Sequence, residues 1–450
     1  MTRIRAAGRR RWHPALTVLV VSFLALIAAA GFRAAPGPLL PALQAEFGWS
    51  TAAISAAISV NLLLYGLTAP FAAALMDRFG VRLVTTCALV LVAAGSALSI
   101  FVTASWQLLL TWGVLIGLGT GSMALAFAAT ISQRWFVRHR GLAMGVLTAG
   151  GAAGQLLFLP VIAEVATRTG WRTASLVIAG AALAIVPVLL LVLRDYPEQR
   201  GVAPLGADPG WRPPSREHGR PGRRSLLALR RAARVPSFWA LAAAFAICGA
   251  TTNGLIGIHF IPSAHDHGMP ETVAAGLLAV VGIFDIAGTI GSGWLTDRID
   301  PRMLLVGYYA FRGVGLALLP SLLSDTIEPS IVVFVVIYGL DWVATVPPTV
   351  ALCQRIFGVD GTVVFGWVFA SHQVGAAAAA LGAGVIRDQT GSYTLAWLAG
   401  AALCVLAAAL SVVTRRPAAD RPSPVGTMTT PGAPAPASRA GTRPPPPRPR

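Results

Sequence analysis

Long apolar runs recur along the chain at near-regular intervals, each bounded by short polar or charged stretches. A helix needs about 20 apolar residues to cross a hydrocarbon core of roughly 30 Å. Windows of that length define twelve candidate spans: 16–40, 52–75, 83–103, 107–131, 141–164, 172–193, 237–262, 272–295, 303–322, 330–352, 362–386 and 392–414. Connections within each group of six are short, whereas 194–236 is a long stretch rich in Arg, Pro and Gly. The pattern predicts an all-α membrane protein with an N-terminal tail (1–15), a six-helix bundle (16–193), a linker (194–236), a second six-helix bundle (237–414) and a Pro/Arg-rich tail (415–450). That tail is too poor in apolar residues to fold alone and is expected to be disordered, near anionic lipid headgroups. Gly117, Gly119, Gly121, Pro347 and Pro348 fall inside spans, which neighbouring membrane helices tolerate.

The first run mimics a secretory signal, with a basic start, an apolar core and Ala28-Ala29-Ala30. Its apolar character continues past that point, so it is read as an uncleaved first span. Composition agrees: 55% of the 450 residues are hydrophobic, 12% are charged, and the mean hydropathy is +0.68. One soluble core cannot absorb that apolar surplus. Four cysteines (Cys87, Cys248, Cys353, Cys404) form no CxxC motif, which argues against disulfide and zinc frameworks.

The net charge of +17 raises the question of nucleic acid, since all 35 basic side chains are Arg. Position answers it. With the N-terminus in the cytoplasm, thirty arginines fall on the inner side and three (Arg168, Arg172, Arg387) on the outer side, leaving Arg33 and Arg312 within spans. This is the asymmetry that orients membrane helices. The expectation is a multi-pass protein of the plasma (inner) membrane with both termini cytoplasmic, and no nucleic-acid partner.

The two groups of six repeat one another. Leu75-Met-Asp77-Arg78-Phe-Gly-Val-Arg82 returns as Leu295-Thr-Asp297-Arg298-Ile-Asp-Pro-Arg302, 220 residues later. Arg134-Trp-Phe136 and Gly145 return near Arg355-Ile-Phe357 and Gly366. Such duplicated bundles hold a central site between the halves.

Twelve spans and two copies of this loop resemble the major facilitator superfamily of transporters. The first copy resembles its GxLxDRxGxR signature with Ala73 in place of the first Gly, and the second departs at Asp300, where a Gly would stand. The resemblance implies that Asp77, Arg78, Arg82, Asp297, Arg298 and Arg302 form a conformational latch on the cytoplasmic side. It also implies that spans 1, 4, 7 and 10 line the cavity while spans 3, 6, 9 and 12 lie outside. Gly113 stands where a span-4 Arg motif would be, and span 5 lacks a Gly-Pro. Both absences argue against a proton-coupled drug exporter.

An ionisable residue at membrane depth costs roughly 2.5–3.5 kcal/mol even on a lenient scale, so each demands a reason. Four qualify: Arg33 in span 1, Asp285 in span 8, Arg312 in span 9 and Asp341 in span 10. Arg312 is the candidate structural ion pair, with Asp341 or Asp285 as partner. Arg33 has no opposite charge in its own half, and a lone guanidinium is a natural fork for a carboxylate. Its surroundings, Gly31 to Ser50, resemble span 1 and its outer loop in the monocarboxylate and oxalate/formate branch, where a basic residue handles the substrate carboxylate. That branch also has an Asp-x-x-x-Arg pair in span 8; here Asp285 is kept and Thr289 replaces the Arg.

Candidate substrate-binding residues are therefore Arg33, Asn253, Tyr338, Asp341, Thr289 and Tyr65, and candidate proton carriers are Asp285, Asp341 and His372. Helical spacing groups Tyr338, Asp341, Thr345 and Pro348 on one face, and Asn61, Tyr65 and Thr68 on another. The small-residue run Gly375–Gly384 is read as close helix packing. The expected function is alternating-access transport of a small organic anion, a monocarboxylate, with protons and without cofactor or metal, by a monomer. No nucleotide-binding loop is present, so an ion gradient would drive it. The alternatives are an exporter of hydrophobic or cationic compounds and, remotely, a non-transporting membrane sensor. No nucleophile–base constellation suggests an enzyme.

Overall fold

The computed structural model describes residues 12–123, 125–211 and 221–414. The start of the N-terminal tail, the middle of the linker and the tail 415–450, for which disorder and lipid contact are expected, lie outside the described residues. Twelve helices are long and apolar enough to cross a membrane: span 1 Pro14–Phe47, span 2 Thr51–Phe79, span 3 Val81–Phe101, span 4 Ser105–Trp135, span 5 Arg140–Thr169, span 6 Trp171–Val192, span 7 Pro236–Asp266, span 8 Glu271–Thr296, span 9 Pro301–Leu322, span 10 Pro329–Phe357, span 11 Gly361–Thr390 and span 12 Thr394–Val413. Among the described residues there is no strand, only an isolated bridge between Phe136 and Leu205.

Large apolar side chains face outward as well as inward. Ile290, Phe311 and Val405 are 69%, 67% and 70% exposed, a pattern that only a lipid surround makes favourable. The interior combines large buried side chains such as Trp112, Phe127 and Trp397 with small residues that bring helices close. Gly249 of span 7 lies against the carbonyl of His372 in span 11, and Gly375 of span 11 against the carbonyl of Ala246, with no room for a Cβ at either. Spans 7 and 11 thus meet backbone to backbone, the packing that small residues permit in lipid. Spans 2 and 11, 1 and 7, and 5 and 8 join the first six helices to the last six.

Irregular backbone recurs with a period of three spans. Span 1 is an α-helix Pro14–Ala30, a 3-10 turn Phe32–Ala34 and a second helix Pro36–Phe47. Spans 4 and 7 each carry a π-helical segment, Leu109–Ile116 and Ala250–Ile256. Span 10 stops at Asp341 and restarts at Val346. The other eight cross without a mid-helix break. Proline explains two of the breaks. Pro36, and Pro347 with Pro348, have no N–H to continue the preceding helix but fit the first turn of the next. Burial agrees for three of the four: the most apolar windows of spans 7, 4 and 1 are 78%, 62% and 56% buried, whereas span 10 is 44% buried, the same as the unbroken spans 3 and 11.

Two expectations change. The stretch after residue 40, read as an outer loop, continues span 1 as a helix to Phe47. Its end is tied down by Glu46, which accepts from Trp171 Nε1 at 2.6 Å and from both terminal nitrogens of Arg172 at 2.8 and 2.6 Å. The linker is not featureless, since Pro221–Ala232 forms a helix whose Ser225 carbonyl accepts from Trp367 Nε1 of span 11 at 3.1 Å.

Candidate functional site

The break in span 1 places Arg33 in its 3-10 turn, at the wall of a cleft between the first and last six spans. Phe32 and Pro36 of span 1, Asn61, Leu62 and Tyr65 of span 2, and Gln155 of span 5 line one side. Asn253, Gly257 and Ile258 of span 7 and Gln373 of span 11 line the other. The guanidinium carbon of Arg33 lies 5.4 Å from the centre of the Tyr65 ring, within cation–π range. Among the described residues no ion pair involves Arg33.

The neighbours are carboxamides. Asn61 donates from Nδ2 to the carbonyl of Trp112 at 2.7 Å, satisfying an acceptor in the π-helical segment of span 4. Gln373 is 1% exposed, with its Nε2 3.3 Å from His372 Nδ1 and its Oε1 without a hydrogen-bond partner. A Cβ at Gly66 would lie 2.5 Å from the Cβ of Gln373, so this glycine makes the space the amide occupies. His372 itself sits behind Gln373, stacked on Phe369 with centroids 5.9 Å apart. Of the substrate candidates, the cleft brings together Arg33, Tyr65 and Asn253.

Thr289, Asp341 and Tyr338 lie elsewhere. Thr289 Oγ1 donates to Asp285 Oδ1 at 3.1 Å, and the same oxygen accepts the Val343 N–H at 3.0 Å. Val343 lies in the break of span 10, so the carboxylate of span 8 takes up a backbone donor that the interrupted helix leaves free. Asp285 lines a smaller cavity with Leu156, Gly282 and Trp342, and Gln155 belongs to both cavities.

Arg312 is fully buried and gives its Nε to Asp341 Oδ2 at 2.6 Å. One terminal nitrogen donates to the Asp341 carbonyl at 2.7 Å, and the other contacts Cys248 Sγ at 3.0 Å. Tyr338 donates to the Thr251 carbonyl at 2.8 Å. All three residues line a groove between spans 9 and 10, away from the cleft. The predicted common face of Tyr338, Asp341, Thr345 and Pro348 does not exist as a continuous helix face, because span 10 breaks after Asp341.

The repeated loops make contacts within each half. Asp77 accepts from Arg134 of span 4 at 2.5 Å, and Arg134 stacks on Tyr196 at 4.4 Å. The Arg82 N–H donates to Asp195 at 3.0 Å, and Arg78 lies over Phe79. A Cβ at Gly80, whose φ is +87°, would strike the Asp195 carboxylate at 2.6 Å. In the second copy Arg298 lies over Trp294, and Asp300 caps span 9 through the Arg302 N–H at 3.0 Å. The Arg302 guanidinium holds the Asp300 carboxyl below the usual carboxylate range. Arg78, Arg298 and Arg302 thus contact their own half, Arg82 contacts the start of the linker at Asp195, and Asp297 makes no ion pair among the described residues. Arg134, Asp195 and Asp300 are partners that the loop pattern alone did not reveal.

A bundle of twelve spans with period-three interruptions around a polar cleft defines a membrane transporter of the alternating-access architecture. The family model described as Major Facilitator Superfamily matches residues 22–364, and the chain belongs to that superfamily. It is a multi-pass membrane transporter of small molecules, not an enzyme. The chain is 24% identical over 415 residues to the Bacillus subtilis uncharacterized MFS-type transporter YcxA, covering 91% of this chain and 95% of that protein. It is 27% identical to monocarboxylate transporter 13 of Rattus norvegicus (80% and 79% covered). It is 28% identical to human monocarboxylate transporter 11 (81% and 82% covered). A bacterial homologue of the human lysosomal transporter Spinster, solved in an inward-facing and occupied conformation, superposes with a TM-score of 0.68 at 16% identity over 93% of this chain and 100% of that one. A D-xylose–proton symporter does so at 0.69 and 13% identity over 89% and 98%. These two likenesses show the fold.

Proposed function

We propose that the protein is a proton-coupled secondary transporter of a small organic anion of the monocarboxylate class. The observation that carries this reading is Arg33, a guanidinium in the cleft between the halves with no carboxylate among the described residues paired to it. An unpaired cation at membrane depth is costly, and a bound carboxylate would meet its fork with two parallel hydrogen bonds. The monocarboxylate transporters to which the chain is 27–28% identical lend support. Charge disfavours an exporter of cations, because no carboxylate among the described residues lines the Arg33 cleft: Asp341 is engaged by Arg312, and Asp285 lines the adjoining cavity.

In this reading the anion bridges Arg33 to the second half, and residues 16–193 rock against 237–414. Asp285 carries the proton. It adjoins the cleft through Gln155, and no basic side chain pairs with it among the described residues, whereas Asp341 is already neutralised. The arginine-rich end is cytoplasmic in the plasma membrane, the inward-opening loops act as the latch, and the monomer is the working unit. The test is uptake of labelled small carboxylates by purified protein in vesicles. Arg33→Gln is expected to abolish uptake with insertion and melting temperature intact, and full uptake by that variant contradicts the reading.

A further inference from the structure

Arg33 accounts for one charged group of a ligand. The rest of the cleft is furnished for something other than a hydrocarbon tail. Asn61, Gln155, Asn253 and Gln373 come from four different spans, two in each half, and all face the space beside Arg33. Only Asn61 makes a good hydrogen bond, and it uses one of its two donors. Gln155 and Asn253 make none with the described residues. Gln373 Oε1 is a buried acceptor without a donor on a side chain that is 1% exposed.

Buried polar atoms are almost always hydrogen-bonded in folded proteins, and among the described residues with such an orphan atom Gln373 is the one that lines the cleft, where a ligand group can supply the partner. A bare aliphatic acid would satisfy the guanidinium and leave the amides dry and unpaired. A hydroxyl both donates and accepts, so it pairs with a carboxamide in either orientation of that amide. Several amides around one cation therefore match a carboxylate that carries several hydroxyls. An ammonium on the ligand is disfavoured beside the Arg33 guanidinium, since no carboxylate among the described residues lines this cleft to offset the repulsion.

Building on the anion reading, we propose that the cleft takes a polyhydroxylated small carboxylate of the sugar-acid class, with Gln373 as a specificity-determining residue that reads a ligand hydroxyl. A site built to hydrogen-bond a hydroxyl discriminates strongly against the analogue that lacks it.

The experiment compares three probes on purified full-length protein in vesicles: gluconate, hexanoate and glucose. Uptake of gluconate is expected to exceed that of hexanoate by about tenfold or more, with glucose untransported for lack of a carboxylate. Gln373→Leu and, on the less buried side, Gln155→Leu are expected to raise the apparent KM for gluconate about tenfold and to leave hexanoate within about twofold, while Arg33→Gln removes both. Hexanoate transported as well as gluconate by the wild type overturns the sugar-acid inference and leaves the anion reading standing. Equal losses for both acids in both amide variants overturn the specificity role. Glucose transported in place of the acids overturns the anion reading itself.

Discussion

Arg312 Nε and Asp341 Oδ2 lie 2.6 Å apart inside the last six helices, and the guanidinium also takes the Asp341 carbonyl at 2.7 Å. The broken end of span 10 is what makes this possible, because a helix that stops at Asp341 leaves its last carbonyls free. One residue thus satisfies a buried charge and a helix terminus together. Removing one partner strands the other in a site that is 0% and 7% exposed. Arg312→Leu or Asp341→Leu alone should cost about 3–5 kcal/mol, and the double variant should recover most of it. Melting of the detergent-solubilised protein measures this. A double variant as unstable as the sum of the singles would contradict it.

Asp388 near the end of span 11 caps span 2 of the other half, accepting from the N–H groups of Thr51 and Ala52 at 2.9 and 2.8 Å. Loss of such a cap costs about 0.5–2 kcal/mol. Because the contact spans both halves, Asp388→Ala should favour the state in which these ends separate. A cysteine introduced at Ala52 should label faster in that variant, and an unchanged labelling rate would count against the cap as a closing contact.

Gly249 allows span 7 to touch the backbone of span 11. Gly249→Ala drives a Cβ into the His372 carbonyl and should destabilise by about 1–3 kcal/mol or more. Gly307→Ala, with open space around it, should be near neutral. Size-exclusion profiles of the two variants after mild heating distinguish the cases, and equal profiles would refute the close contact.

Asp300 carries a pH prediction. Its carboxyl is held low by the Arg302 hydrogen bond, so its contribution is present above the ordinary carboxylate range, near pH 4. That contribution fades as the pH falls through the depressed value. The melting difference between wild type and Asp300→Ala should therefore be largest near pH 7 and shrink on acidification below about pH 4. A difference that grows on acidification would reverse the sign argued here.

The twelve spans were legible because membrane thickness sets a length that apolar windows report directly. Their breaks were only half legible. Pro36 and Pro347-Pro348 stand at two of them, but prolines are also tolerated within spans, which is how the sequence alone presents them. Arg312 could be seen to need a carboxylate, but choosing Asp341 over Asp285 required the position of the span-10 terminus. Gln155 and Gln373 were missed as cleft residues, since a single amide inside an apolar run carries no periodic signal. The partners of the repeated loop were hidden for another reason. Asp77 finds Arg134 57 positions away, and Arg82 finds Asp195 113 positions away, separations that local spacing cannot read.

In the proposed mechanism the cleft around Arg33 moves an anion together with a proton. The most direct measurement is uptake of labelled gluconate and a panel of small monocarboxylates into vesicles holding the purified wild-type protein, with an inward proton gradient imposed by dilution into acidic buffer. The account predicts accumulation of at least one carboxylate above equilibrium that collapses with a protonophore and is absent in Arg33→Gln. Equal carboxylate uptake with and without Arg33, or accumulation of organic cations instead, would contradict it.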